Sequence, residues 1–204
     1  MILIRNNILP TALTNAINLE IDKINYESSF WIFPGENPQV CKLVREALAE
    51  TSLISEDILN NAYIVIRCVK ANSQTTTYAI HFDNYTNTWL LPLKIPQSNQ
   101  DGRLCVWENA RKHPKCTYTN LVSKLFYQNP ITVSFIKKYL LYKFHHVDLK
   151  VGDCAHFNGF TSLHFNEPIQ GERRSILIHF DKPFNASILT VAIEKLSQYI
   201  VKRL

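Results

Sequence analysis

Val151-Gly152-Asp153-Cys154-Ala155-His156-Phe157-Asn158-Gly159-Phe160-Thr161-Ser162-Leu163-His164-Phe165-Asn166-Glu167-Pro168, followed closely by Gly171-Glu172-Arg173-Arg174-Ser175-Ile176-Leu177, is the stretch on which the fold turns. Its short runs of β-branched and aromatic residues, punctuated by Gly, Asn and Pro, read as strands at 155–157, 162–164 and 175–180. A further strand is expected at about 147–149. Upstream, Tyr63-Ile64-Val65-Ile66-Arg67-Cys68-Val69 has the same character, as do 78–82, 88–95 and 103–107. The polar segment 97–102 turns the chain between two of them.

Helical spacing lies to either side. Ala12, Leu13, Ala16, Ile17, Ile21 and Ile24 recur at helical intervals behind Pro10. Pro38 suits the first helical position after Asn37, with Val40, Leu43, Val44 and Leu48 as the buried stripe. Residues 55–62 form a third short helix. Residues 131–144 are helical within a basic insertion spanning about 112–146, and Ala186–Leu204 reads as a closing amphipathic helix. Many short strands framed by helices point to a sandwich or jelly roll, not to a doubly wound parallel sheet. The expected organisation of 1–204 is a single domain. It has helical support over 1–62, a β core over 63–182 that carries the insertion, and a C-terminal helix over 183–204.

Composition narrows the classes. The 204 residues are 46% hydrophobic and 19% charged, which suits a packed domain and argues against a disordered chain. The net charge of +5 is spread along the sequence. Lys137, Lys138 and Lys143 read as the wet face of a helix, not as a nucleic-acid patch. No apolar run reaches the roughly 18 residues of a membrane span. Residues 1–10 lack the basic start and cleavage site of a secretory signal. Cys41, Cys68, Cys105, Cys116 and Cys154 are odd in number, scattered and without a C-x-x-C pair. They are expected to be reduced thiols of a cytoplasmic protein.

The chemistry concentrates at His81-Phe82-Asp83. On a strand, positions i and i+2 face the same way, so one imidazole and one carboxylate can reach one metal ion. A second histidine completes a 2-His-1-carboxylate face, which leaves positions open on non-haem Fe(II). His164 is preferred to His156 for that role, because Pro168 and Gly171-Glu172-Arg173 follow it. His179-Phe180-Asp181 repeats the spacing, but no histidine follows, and it reads as a strand end before Pro183. His145 and His146 adjoin a basic helix end, and His113 precedes Pro114; these read as structural or solvated.

The order of these features resembles the Fe(II)/2-oxoglutarate-dependent oxygenases over roughly 66–181. A His-Phe-Asp motif comes first, then a strand bearing Gly152-Asp153, a distal histidine, a proline-containing turn and Arg-x-Ser. The resemblance implies a mainly β fold with flanking helices, the double-stranded β-helix (jelly roll). It implies Fe(II) on His81, Asp83 and His164, with 2-oxoglutarate and O₂ as co-substrates and succinate and CO₂ as products. Arg173 and Ser175, alternating onto one face, would hold the far carboxylate of 2-oxoglutarate by a guanidinium fork and a hydroxyl. Arg174 would then point outward as a surface charge. Arg67 either meets the keto-acid end or lies on the outer face. Phe160 departs from the pattern, since relatives often carry an arginine soon after the glycine. Halogenating relatives lack the carboxylate that Asp83 supplies, which favours hydroxylation. The expected substrate is a small metabolite such as an amino-acid derivative. A peptidyl side chain comes second, and a non-catalytic metal-binding module of the same fold is the alternative class. Nucleic-acid dealkylation is disfavoured, because His179 stands where those relatives carry a second arginine. Trp89 and Trp107 either line the substrate site or belong to the core.

Overall fold

The computed structural model describes residues 1–24, 29–51, 54–70, 80–96 and 102–184. The helix expected over 186–204, most of the 97–102 turn and the start of the strand expected over 78–82 lie outside the described residues.

The β-rich segments pair into two antiparallel sheets, as expected for a jelly roll. Strands β1 (Leu3–Arg5), β2 (Phe30–Ile32), β3 (Tyr63–Val69), β4 (Asn87–Lys94), β7 (Cys154–Asn158) and β9 (Arg173–Phe180) form the larger, ordered β1-β7-β4-β9-β3-β2. Strands β5 (Leu104–Trp107), β6 (His145–Val147) and β8 (Leu163–Asn166) form the smaller, ordered β6-β5-β8.

The period-two alternation sorts each strand between two surroundings. Leu90, Ala155, Phe157 and Leu177 point from the large sheet toward Leu104, Val106 and Val147 of the small one. Their neighbours Leu91, Leu93, Ile176 and Ile178, with Ile64, Ile66 and Cys68, point the other way. Those side chains are covered by Ile17 and Ile21 of α1 (Thr11–Asp22), by Val40, Val44 and Leu48 of α2 (Pro38–Glu50), and by Leu59 of α3 (Glu56–Asn61). Burying each of these aliphatic chains is worth about 1.5–3 kcal/mol. A one-residue slip would exchange the two sets, so the register is firmly specified. The outer side of the small sheet, Cys105 and Phe165, packs on Phe144 and on Ile136 of α5 (Pro130–Tyr139), which follows α4 (Thr117–Gln128).

Local chemistry sets the boundaries. Asn37 takes a left-handed conformation (φ 47°) and accepts from the Val40 amide at 3.2 Å, with Pro38 opening α2 as expected. Pro92 sits within β4, where a missing N–H would cost a ladder bond. The β7 ladder stops at Leu90, while Pro92 still stands opposite Ser175 of β9 just before that register shifts, so the proline lies past the end of one ladder and at the irregularity of the other.

Three expectations change. The N-terminal part contributes β1 and β2 to the sheet edges as well as helices. The described part of the 78–82 strand reduces to a single bridge, His81 to His164. His145 and His146 do not close a helix. α5 stops at Tyr139, a 3₁₀ turn spans Leu141–Lys143, and both histidines lie on β6. Buried Phe144 and Val147 draw this segment onto the core, against the basic helical pattern before it.

Among the described residues, no helix is long and apolar enough to cross a membrane. All five cysteines are unbridged.

Candidate metal centre

The bridge at His81 fixes the centre. The His81 and His164 backbones exchange two hydrogen bonds of 3.0 Å each, which sets the residues opposite one another with ring centroids 4.2 Å apart. The Asp83 amide then donates to Gly159 O at 2.9 Å and turns its side chain toward the same point. His81 Nε2 lies 3.7 Å from Asp83 Oδ1, and His164 Nε2 lies 3.5 Å from Asp83 Oδ2. Ligand atoms of the three residues all fall within 4.8 Å of one another. The His164 side chain is 7% exposed and that of His81 37%, so the group is buried on one side and open on the other.

Neighbouring groups orient these donors. His164 Nδ1 is 3.1 Å from Ser162 O; donating its proton there leaves the Nε2 lone pair facing Asp83. The Thr88 hydroxyl donates to Asp83 Oδ2 and lies 3.2 Å from His179 Nδ1. Burial raises the cost of ionising Asp83. The nearby imidazoles of His164, His179 and His81 outweigh it and hold the carboxyl well below its usual range. Asp83 is therefore an anion at neutral pH. Burial pushes His179 below the ordinary histidine range, opposed by the charge of Asp83.

Gly159 is required here for space. A Cβ on it would stand 2.2 Å from Thr88 Oγ1 and 2.3 Å from Asp83 Oδ2. Gly159→Ala is expected to displace the Asp83 carboxylate, lowering metal affinity about 10–100-fold and stability by about 1–3 kcal/mol. Metal titration and thermal melts measure both. Wild-type affinity in the alanine variant would mean that Asp83 is no ligand.

The three residues line a cleft of about 350 Å³ together with Thr88, Leu90, Asn166, Leu177, His179 and Arg67. Arg67, Leu90, Asn166 and Leu177 also line a smaller recess that holds Arg173 and Ser175. The β3–β9 register sets Arg67 opposite Ser175. Of the two placements open to Arg67, the inner one is found. Arg173 is 7% exposed, donates to Asn166 Oδ1 at 2.8 Å and has no ion pair among the described residues. Burial, then the proximity of Arg67, pushes Arg173 down to about 10. Burial pushes Arg67 down to about 10 as well. Two guanidiniums, Arg67 and Arg173, line the recess together with the carboxylate of Glu167.

Other candidates lie elsewhere. Arg174 faces away from the recess, as alternation requires. It is 2% exposed rather than a surface charge, because α1 covers it: it pairs with Asp22 and Glu172 and donates to Asn18 O. His156 is on the outer face of β7, with Nε2 2.8 Å from Asn87 Oδ1 and its ring against Trp89. Trp89 belongs to the core under the helices, and Trp107 packs edge-on to Phe144. His179 enters the centre through Thr88, while Asp181 turns away in a left-handed conformation and bonds to Asn87. His113 packs against Phe160.

Sequence reasoning passed over Thr88, Asn166 and an aromatic mouth. Trp31, Phe33, Tyr63 and Tyr85 line the open side of the cleft, with Tyr63 and Tyr85 stacked at 6.1 Å. Tyr63 shares the inward face of β3 with Arg67, a signal that alternation carries. Tyr85 follows the His81-Phe82-Asp83 motif by two residues, a local signal, whereas Trp31 arrives through the pairing of β2 with β3 and leaves none.

No protein-family model matches the chain, and no curated protein matches it. Solved structures do. The chain is similar to HygX from Streptomyces hygroscopicus with nickel and 2-oxoglutarate bound, at 12% identity and a TM-score of 0.57, covering 90% of this chain and 83% of that one. It is similar to a Pseudomonas putida prolyl-4-hydroxylase at 15% identity and a TM-score of 0.53, covering 88% and 92%. It is also similar to the non-heme alpha ketoglutarate dependent carbocyclase SnoK from nogalamycin biosynthesis, at 11% identity and a TM-score of 0.55, covering 87% and 79%. At these identities the likeness is one of fold, and the fold is the double-stranded β-helix that the sequence led us to expect.

Proposed function

We propose that the chain is a 2-oxoglutarate-dependent non-haem iron oxygenase that hydroxylates a small molecule. In this reading His81, Asp83 and His164 hold Fe(II). Arg173 and Ser175 hold the far carboxylate of 2-oxoglutarate, and Arg67, which lines both cleft and recess, meets the nearer one. One observation carries the reading: a two-imidazole, one-carboxylate cluster opens into a cleft that shares Arg67, Leu90, Asn166 and Leu177 with the recess around Arg173, a buried arginine with no ion pair among the described residues.

The donor set fits the metal. Two neutral imidazoles and one carboxylate on a single side leave the other side for co-substrates. In this reading the dicarboxylate would reach from Arg173 in the recess into the adjoining cleft, where the metal would sit. Bound Fe(II) would supply the redox chemistry that couples oxidative decarboxylation of 2-oxoglutarate by O₂ to oxidation of a substrate C–H bond, releasing succinate and CO₂. The chain's own part is positioning and shielding. Ser162 O and Thr88 fix the ligand orientations, and Leu90, Phe157 and Leu177 keep the cavity wall apolar.

The aromatic mouth suits a substrate with a flat or apolar portion, such as an amino-acid derivative. A peptidyl side chain is the second reading: one of the similar folds is a prolyl-4-hydroxylase. The whole chain acts as one oxygenase domain in this proposal, with the N-terminal helices bracing the large sheet, and the unbridged thiols suit a reducing cytoplasm.

The test is the visible absorption of the anaerobic protein with Fe(II), before and after 2-oxoglutarate is added. A metal-to-ligand charge-transfer band is expected in the wild type and not in His164→Ala. Bound iron without a band would overturn the oxygenase reading and leave a metal-binding module.

A further inference from the structure

Away from the cleft, the outer side of the small sheet gathers a thiol, an imidazole and a carboxylate. Cys105 of β5 stands opposite His146 of β6 in the ladder. Glu167 follows the end of β8, tied to β5 by its amide, which donates to Arg103 O at 3.0 Å. His146 Nδ1 lies 3.5 Å from Cys105 Sγ and 3.3 Å from Glu167 Oε1. All three donor atoms fall within 4.8 Å of one another. Cys105 is fully buried, while the His146 side chain is 48% exposed, so the group reaches solvent on the imidazole side.

The spacing is that of a coordination sphere. With Zn–S of about 2.3 Å and Zn–N and Zn–O of about 2.0–2.1 Å, a tetrahedral ion separates N from S by about 3.6 Å and N from O by about 3.3 Å. Thiol and carboxylate converge on one imidazole nitrogen, with Arg103 as their other neighbour: its Nη2 donates to Glu167 Oε1 at 3.2 Å, and its carbonyl oxygen lies 3.9 Å from Cys105 Sγ. A cation among the three would draw on a lone pair from each of them.

We propose that Cys105, His146 and Glu167 bind a thiophilic divalent cation, Zn²⁺ foremost, at a site separate from the cleft. The S, N, O donor set selects for such an ion, where the cleft offers only nitrogen and oxygen. The other carboxylate oxygen of Glu167 accepts from Arg103 Nε at 2.7 Å, which holds the group in position. Binding takes the thiolate, so the Cys105 proton passes to solvent as the ion enters. The ion would tie β5, β6 and the end of β8 together, clamping the small sheet. The proposal does not depend on the chemistry of the cleft.

Co²⁺ added to the intact protein tests it, because thiolate-bound cobalt gives a near-ultraviolet charge-transfer band that a sulfur-free cleft cannot. The band is expected to saturate by two equivalents, since the cleft donors take up cobalt without giving a band, to vanish when excess Zn²⁺ is added, and to be absent in Cys105→Ser and His146→Ala. Zn²⁺ should also raise the melting temperature of the wild type by more than that of His146→Ala, in which only the cleft donors remain to bind it. Should Cys105→Ser fail to fold, the half-exposed His146→Ala decides. No band in the wild type, or a band that persists in His146→Ala, overturns the proposal; persistence would assign the band to another thiol such as exposed Cys116.

Discussion

Asp83→Gly and His164→Ala are each expected to lose on the order of 10³-fold in 2-oxoglutarate turnover. That size follows from several kcal/mol of lost metal-centred stabilisation. Asp83 is the one carboxylate among the donors of the cleft cluster. Its removal leaves the imidazoles of His81, His164 and His179 around a site that has lost its anionic donor. The backbone bond from residue 83 to Gly159 O survives in the glycine variant, so the chain path should persist. His164→Ala keeps the two backbone bonds to His81 and removes only the imidazole. Succinate release measures turnover, and iron retained after gel filtration measures the site itself. Full turnover in either variant would refute the ligand assignment.

Arg173→Leu is expected to raise the KM for 2-oxoglutarate by about 10²-fold or more, the scale of a charge-assisted fork lost from a buried site. Iron binding and turnover at saturating co-substrate should change far less, because Arg173 is not among the metal donors. Arg173→Lys should recover part of the affinity, since a point charge replaces a planar fork. Arg174→Leu is the internal control. It severs the contacts to Asp22 and Asn18 on α1 and should lower the melting temperature while leaving the KM for 2-oxoglutarate unchanged. An unchanged KM in Arg173→Leu, or an equal rise in Arg174→Leu, would sink the assigned anchor.

The legible part of this protein is whatever a local period can express. Strand alternation by itself separates Arg173 and Ser175 from Arg174, and H-x-D spacing pairs His81 with Asp83. What stays hidden depends on partners remote in sequence. Thr88 stands opposite His179 in the ladder, which is how a histidine from a rejected motif comes to support Asp83. Arg174 reads as a surface charge because nothing near it announces that α1 will cover it. β1 and β2 are three residues each, too short for a pattern, and become strands only because β7 and β3 offer edges. His145 and His146 follow a convincing basic helix, yet burial of Phe144 and Val147 outweighs that propensity.

The alternation along β9 also has a bearing on descent. One strand spells two messages in alternate letters, with Arg173, Ser175, Leu177 and His179 belonging to the cavity and Arg174, Ile176 and Ile178 to the scaffold. Point substitutions can rewrite the first message while the second stays intact, so a lineage can reshape the lining of its cavities without refolding. A single-residue insertion or deletion would garble both at once. Length variation among descendants should therefore collect in the connections between strands and spare β9 itself.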